Sequence, residues 1–326
     1  MGAVEATDDA RWMAAALSLG DRGRGRTAPN PNVGCVIVMD GVVVGRGWTQ
    51  AGGRPHAEAM ALAMAGDKSR GATCYVTLEP CAHASPRGPA CADLLIAAGV
   101  ARVVAAMRDP DPRTDGDGLA RLAAAGVETR CGVQADAARR SMAGWLTRQR
   151  KGRPFITLKL AMSLDGCLAM ADGRSRWITG PQARAHTHLE RSRHEMILIG
   201  ARTLAVDAPA LDVRLDGLHA HSPRRLVLTR DTAAPPDGWQ AIDSPEQVRA
   251  LPGDHLMVEG GAGAAAAFLA ADMVDRLLLY RAPILVGGGL TLPAIGLADL
   301  AQAHGRWRLL DARQLGVDRM EAYERA

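Results

Sequence analysis

Short apolar runs, each closed by turn residues, alternate with stretches of helical spacing along the first half of the chain. Residues 33–39 and 42–48 are rich in valine and isoleucine. The Asp40-Gly41 pair between them is a two-residue hairpin signal, so the pattern predicts two antiparallel strands. Helices are predicted over 8–19, with an aspartate cap, and over 56–65, 91–98, 118–125 and 136–149. Further strands are predicted over 72–78, 102–107 and 127–131. Alternation of this kind describes an α/β unit with helices on the faces of a sheet. A basic stretch with Gly152 and Pro154, residues 148–154, follows and reads as a linker.

The second half restarts with a strong strand at 155–162. Strands are predicted again at 196–200, 225–229, 255–259 and 276–281, with helical segments at 182–193 and 261–269 and a loop at 235–238. Two domains are therefore expected, 1–149 and 150–326, each long enough to bury its own core.

Composition narrows the class. The chain has 326 residues, 36 glycines, only three tyrosines and two phenylalanines, and a net charge of +4. That mild basicity suits small anionic substrates and does not call for nucleic acid. The run Arg22-Gly23-Arg24-Gly25-Arg26 is too short for an RNA-binding box and reads as a solvated loop. Six cysteines without framework spacing point to a reducing cytoplasm. No apolar run reaches the length of a membrane span.

The chemistry is concentrated in His56-Ala57-Glu58, Pro80-Cys81 and Cys91. One imidazole and two thiolates form a three-ligand zinc set with the fourth position open for water, and Glu58 is spaced to move protons to and from it. The order H-x-E, P-C, C is the signature of zinc deaminases acting on nucleobase-type rings. In the second half a strand, a Gly-rich turn at Gly260-Gly261-Ala262-Gly263 and a helix start form a phosphate cradle. Lys159 interrupts an apolar strand. Its charge suits either an anion contact or a gatekeeper on an edge strand. Arg191, in a helix-like segment, reads from the residues alone as a solvated helix charge rather than an anion contact, and Trp177 as a contact or a core residue.

These motifs together resemble the bifunctional deaminase/reductase of riboflavin biosynthesis over nearly the whole chain. The first half carries Thr27-Ala28-Pro29-Asn30-Pro31-Asn32-Val33-Gly34, His56-Ala57-Glu58 and Thr77-Leu78-Glu79-Pro80-Cys81-Ala82-His83. The second carries Lys159-Leu160-Ala161-Met162-Ser163-Leu164-Asp165-Gly166, Trp177-Ile178-Thr179, Val206-Asp207-Ala208-Pro209 and Val258-Glu259-Gly260-Gly261. The resemblance implies a cytidine-deaminase-like three-layer α/β domain followed by a dihydrofolate-reductase-like α/β domain, with Zn2+ and NADPH as cofactors. It implies His56, Cys81 and Cys91 as zinc ligands, Glu58 as proton shuttle and Asn30 as a pyrimidine contact. It further implies Lys159, Ser175, Arg191, Leu211, Arg214 and Glu259 on the sugar phosphate substrate. Ala161, Trp177, Thr203, Asp207, Gly260, Gly261, Ala262 and Gly263 fall at its NADPH positions.

This chain departs from the family in the Cys81–Cys91 interval, which is one residue longer, in Thr229-Arg230-Asp231, and in a short stretch between Asp216 and Gln247. The expected partners are small pyrimidine ribosyl phosphates, with no nucleic acid and no membrane; a homo-oligomer is compatible with the sequence. Two rival readings are a tRNA deaminase, which would want aromatic stacking residues, and a non-catalytic zinc-stabilised module, in which His83 would close the site as a fourth ligand.

Overall fold

The computed structural model describes residues 2–83, 87–231 and 234–326. The chain divides into two compact units, Met1–Leu146 and Thr147–Ala326.

The first unit contains α1 (Gly2–Gly20), β1 (Gly34–Met39), β2 (Val42–Trp48), α2 (Ala57–Ala65), β3 (Thr73–Val76), α3 (Cys91–Ala98), β4 (Arg102–Ala105), α4 (Asp117–Ala124), β5 (Glu128–Cys131) and α5 (Ala135–Ser141); α6 (Ala143–Lys151) begins in it. Among the described residues its strands form one sheet in the order β2-β1-β3-β4-β5. β1 is antiparallel to β2 and β3, and the β3-β4-β5 ladders are parallel. The β1–β2 hairpin turns at Asp40 and Gly41, both at positive φ, as a two-residue loop demands. Ile37, Val76, Leu95, Val104 and Leu122 are wholly buried in the core between sheet and helices. Each such side chain contributes about 1.5–3 kcal/mol by leaving water.

Helix α2 lies unusually close on β2. A Cβ on Gly45 would sit 2.2 Å from the Ala61 carbonyl oxygen, and one on Gly47 would sit 2.4 Å from that of Ala57. Only glycine at both places lets the helix that begins beside His56 approach the sheet this closely.

Three sequence expectations fail here. Helix α1 starts at Gly2, so Asp8 lies inside it and caps nothing. Its neighbour Asp9 is buried and accepts from Arg102 at 2.8 and 3.0 Å, Arg130 at 2.6 Å and Tyr75 at 3.0 Å. These bonds tie α1 to β3, β4 and β5, and they hold the Asp9 carboxyl below its usual range against the upward push of burial. The helix expected over 136–149 is broken at Met142 into α5 and α6. The basic stretch read as a linker is in large part helical, because α6 runs on to Lys151.

The second unit contains β6 (Phe155–Met162), α7 (Pro181–Arg191), β7 (Met196–Gly200), α8 (Ala201–Asp207), β8 (Arg224–Leu228), β9 (Trp239–Ile242), β10 (His255–Glu259), α9 (Ala262–Ala270), β11 (Arg276–Arg281), β12 (Trp307–Leu315) and β13 (Asp318–Arg325). Among the described residues the strand order is β12-β13-β11-β6-β10-β7-β8-β9. The run from β11 to β9 is parallel, whereas β13 and β12 add an antiparallel hairpin. Ile156, Leu158, Leu198, Leu256 and Phe268 are wholly buried in its core.

The start of β6 is fixed by Asp275. This carboxylate accepts from the Ile156 amide at 2.9 Å, from Arg153 at 2.5 and 2.8 Å and from Lys151 at 3.1 Å. A fragment of residues 155–326 therefore leaves a buried carboxylate without either cation, whereas 147–326 keeps both. Breaking a buried pair costs about 3–5 kcal/mol. In urea titrations the shorter fragment should unfold at clearly lower denaturant; equal midpoints would show that these contacts do not matter.

Glu195 and Asp254 lie side by side where β7 and β10 begin, with Arg148 Nε 3.8 Å from Asp254 and the His255 amide donating to Glu195 at 2.9 Å. Burial and the neighbouring Asp254 raise Glu195 to about 7. Burial raises Asp254 to about 6, with Arg148 opposing. Both titrate higher folded than unfolded, so stability is complete below the unfolded values of 4.5 and 3.8 and falls as pH rises through 6 and 7. Glu195→Gln should melt higher than the parent at pH 8 and match it at about pH 4, below the unfolded value, by calorimetry. An identical melting difference at both pH values would exclude this pair as a source of pH dependence.

Candidate functional site

In the first unit three donors converge from separate elements. His56 occupies the N-cap position of α2, Cys81 follows β3 and Cys91 opens α3. Their ligand atoms all lie within 4.8 Å of one another. The His56 Nδ1 atom is 3.3 Å from Cys91 Sγ and 3.8 Å from Cys81 Sγ, and the Cys91 amide donates to Cys81 Sγ at 3.3 Å. Hydrogen bonds from Cys91 and His56 hold the Cys81 thiol down at about 4, so this sulfur is a thiolate at neutral pH.

One imidazole nitrogen and two sulfurs, one already anionic, suit a borderline-soft cation such as zinc. His83 does not join them. Its Nδ1 faces Thr114 Oγ1 at 3.3 Å, and among the described residues the cluster has three members. A closed four-ligand structural site is therefore not what these residues form. The departure noted between Cys81 and Cys91 falls partly on residues 84–86, which lie outside the described residues.

Glu58, in the first turn of α2, is buried beside this cluster, with the Cys91 side chain in hydrogen-bonding reach. Burial raises its carboxyl above the ordinary range, reinforced by the Cys81 charge and opposed by His56. Asn30 sits on the far side of the imidazole, with its amide nitrogen 2.9 Å from His56 Nε2 and donating to the Gly53 carbonyl at 2.9 Å.

The loop bearing Cys81 is held by a residue that sequence reasoning passed over. Glu79 is buried and accepts backbone amides from Asp109 at 3.1 Å, Gly116 at 3.0 Å and Leu119 at 3.1 Å. Its position immediately before Pro80-Cys81, in an otherwise apolar stretch, was the available signal.

In the second unit Lys159 and Glu259 are paired in register on adjacent strands β6 and β10. Arg191, the last residue of α7, donates to both Glu259 oxygens at 2.7 and 2.8 Å and to the Asp212 carbonyl at 2.9 Å. Lys159 Nζ is 3.5 Å from Glu259. Burial alone would push Glu259 up, but Lys159 and Arg191 hold it at about 2. The gatekeeper reading of Lys159 fails because β6 is an inner strand, flanked by β11 and β10. The solvated reading of Arg191 fails because it is only 8% exposed. Arg214 lies beside them, its Nε 3.5 Å from Asp212. The Leu211 side chain packs with Ile197, Ile199 and Met257, so only its backbone can meet a ligand.

Around α9 the structure forms a cradle. Gly260 and Gly261 are at φ 86 and 80°, and a Cβ on Gly261 would come within 2.7 Å of Thr203 Oγ1. Ala262 and Gly263 form the first turn of α9, so free amides face the turn. This arrangement fits a dinucleotide phosphate. Asp207, the last residue of α8, takes Arg176 through its carbonyl at 2.5 Å. The adjacent Trp177 is 64% exposed, with Arg184 4.9 Å from its ring centre, so it is not a core residue. Ala161 is half-buried on β6, paired with Tyr280, and Ser175 lies in the loop before Trp177. A glycine-rich turn at Gly287 was not anticipated. Asp165 accepts from the Val286 amide at 3.2 Å and the Gly287 amide at 2.8 Å and anchors it to the end of β6.

Comparison with known proteins agrees with both halves. Residues 6–107 match the cytidine and deoxycytidylate deaminase zinc-binding region, and residues 154–320 match the RibD C-terminal domain. The riboflavin biosynthesis protein RibD of Escherichia coli K12 is 43% identical over 95% of this chain and 97% of its own length. That of Haemophilus influenzae is 40% identical over 96% of each. Among solved structures, Acinetobacter baumannii RibD superposes with a TM-score of 0.88 at 34% identity, covering 98% of this chain and 99% of that one. A diaminohydroxyphosphoribosylaminopyrimidine deaminase/5-amino-6-(5-phosphoribosylamino)uracil reductase from Thermotoga maritima gives 0.90 at 30% identity, covering 99% and 100%. A zinc-binding deaminase region followed by a RibD C-terminal domain, matched along almost the entire length of these relatives, places the chain in the RibD family of riboflavin biosynthesis proteins.

Proposed function

We propose that the chain catalyses two consecutive steps of riboflavin biosynthesis. Residues 1–149 deaminate a 2,5-diamino-6-ribosylamino-pyrimidinone 5'-phosphate with zinc, and residues 150–326 reduce the ribosyl side chain to ribityl with NADPH. The observation that carries the reading is the three-donor cluster His56, Cys81 and Cys91 with the buried Glu58 at its side. The six cysteines are free thiols, which suits a cytoplasmic enzyme, and no described helix is long and apolar enough to cross a membrane.

Zinc held by His56, Cys81 and Cys91 supplies a Lewis acid and an activated water at neutral pH. Glu58 does the proton transfers. Buried and raised above the ordinary carboxylate range, its carboxylate would take one proton from the attacking water and give it to the ring nitrogen, then take a second from the hydroxyl formed on the ring carbon and give it to the departing amine, which leaves as ammonia. In the second unit NADPH supplies the hydride, and the protein's part is orientation and charge. Arg191 is already neutralised by its two-pronged bond to Glu259, so it fixes that carboxylate in place. Lys159, held more loosely, is the cation left to meet the substrate phosphate.

Glu58→Gln should keep its zinc and lose deaminase activity by at least ~10²-fold, because an amide cannot accept the proton. Metal analysis beside ammonia release checks this, and near-normal turnover would remove Glu58 from the role. Lys159→Ala should lower reductase kcat/KM about ten- to hundredfold, the equivalent of about 1.5–3 kcal/mol for a lost charged hydrogen bond, with ammonia release unchanged. NADPH oxidation and ammonia release measured on the same preparation separate this from misfolding, which would lower both.

A further inference from the structure

The imidazole of His56 has two distinct neighbours. Its Nδ1 atom faces both sulfurs, at 3.3 and 3.8 Å, and its Nε2 atom faces the Asn30 amide at 2.9 Å. Asn30 is itself pinned. Its side chain donates to the Gly53 carbonyl at 2.9 Å, and its backbone amide donates to the Thr27 carbonyl at 2.9 Å. The turn that supplies Gly53 is closed by Gly53 N–H on the Gln50 carbonyl at 2.9 Å and by Gln50 N–H on the Pro55 carbonyl at 3.0 Å. Gly53, at φ 87°, leaves no room for a side chain, since a Cβ there would lie 2.8 Å from Asn30 Cβ. Two turns from different parts of the chain thus close on one amide, and that amide rests on the ring.

We propose that Asn30 is a positioning residue for the metal centre, holding the His56 ring so that Nδ1 is the nitrogen presented to zinc. This rests on the zinc-deaminase reading of the site and goes beyond the substrate contact that the family resemblance implies for Asn30. The chemistry of an amide suits the task. Its NH2 donates to Nε2 when the ring proton is on Nδ1. When the Nδ1 lone pair is given to a metal the ring proton sits on Nε2, and the amide turns its oxygen to that N–H, exchanging the bond its nitrogen makes to the Gly53 carbonyl for one to the ring. A hydrogen bond to the second ring nitrogen fixes both tautomer and ring plane, and losing such a partner typically lowers metal affinity 10- to 100-fold.

The test is zinc affinity of the full-length protein, measured by competition with a chromogenic chelator, with deaminase KM and kcat beside it. Asn30→Ala should bind zinc about 10- to 100-fold more weakly. Asn30→Asp, whose carboxylate also accepts from Nε2–H, should stay within a few-fold of the parent. Parental zinc affinity in Asn30→Ala, with only KM raised, would overturn the proposal and leave Asn30 as a substrate contact alone. Equal loss of zinc in both variants would also overturn it, because the side chain would then serve the fold of the turns and not the ring. Failure of the deaminase reading itself would look different: the parent would bind zinc and release no ammonia from the pyrimidine phosphate.

Discussion

The buried carboxylate of Glu79 sets the geometry on which the first site rests. A carboxylate removed from water is very costly unless its oxygens are satisfied. Here backbone amides of Asp109, Gly116 and Leu119 satisfy them. The chain from 109 to 119 therefore has to wrap around the end of β3, and Pro80-Cys81 is held against it. The Thr114 hydroxyl in the same wrap meets His83 Nδ1 at 3.3 Å and accepts from the Ala82 amide at 3.4 Å. Cys81 there meets His56 and Cys91, which stand at the starts of helices α2 and α3. The Cys81 donor is thus the product of a loop whose shape is dictated two residues earlier, at Glu79.

How much of this could be read from the sequence depended on burial. Strands β6, β7, β10 and β11 and helix α3 fall on the residues expected, because each is a short apolar run or period bounded by turn residues. The C-terminal hairpin was not visible. β12 sits at the sheet edge, exposed on both faces for much of its length, so Trp307–Leu315 alternates charge and leucine without an inward period. Helix α8 has no buried residue, and β9 is a four-residue edge strand, so neither leaves a pattern.

The metal triad and Glu58 were legible because their chemistry needs those residue types in that order. Asp9 was not, since nothing around it in the sequence distinguishes a buried acid from a surface one, and for Glu79 the one signal was its place directly before Pro80-Cys81. Lys159 shows the same limit from the other side. A lysine in an apolar strand is ambiguous until the strand order is known, and the inner position of β6 next to Glu259 decides it.

In the proposed reactions two carboxylates carry the central roles, and their environments push them in opposite directions. Glu58 is buried with a thiolate nearby, so its proton affinity rises, which is what a group that must both take and give a proton at neutral pH requires. Glu259 is equally enclosed but lies between a guanidinium and an ammonium, and it stays ionised throughout the physiological range. It cannot serve as a proton carrier. On the proposed reading its value lies in holding Arg191 rigid, which leaves the Lys159 ammonium as the positive charge beside the end of β10, where ligands collect in a parallel sheet. Under the proposed function the same residue type would thus supply acid–base chemistry in one unit and fixed electrostatics in the other, as hydrolysis and hydride transfer respectively demand.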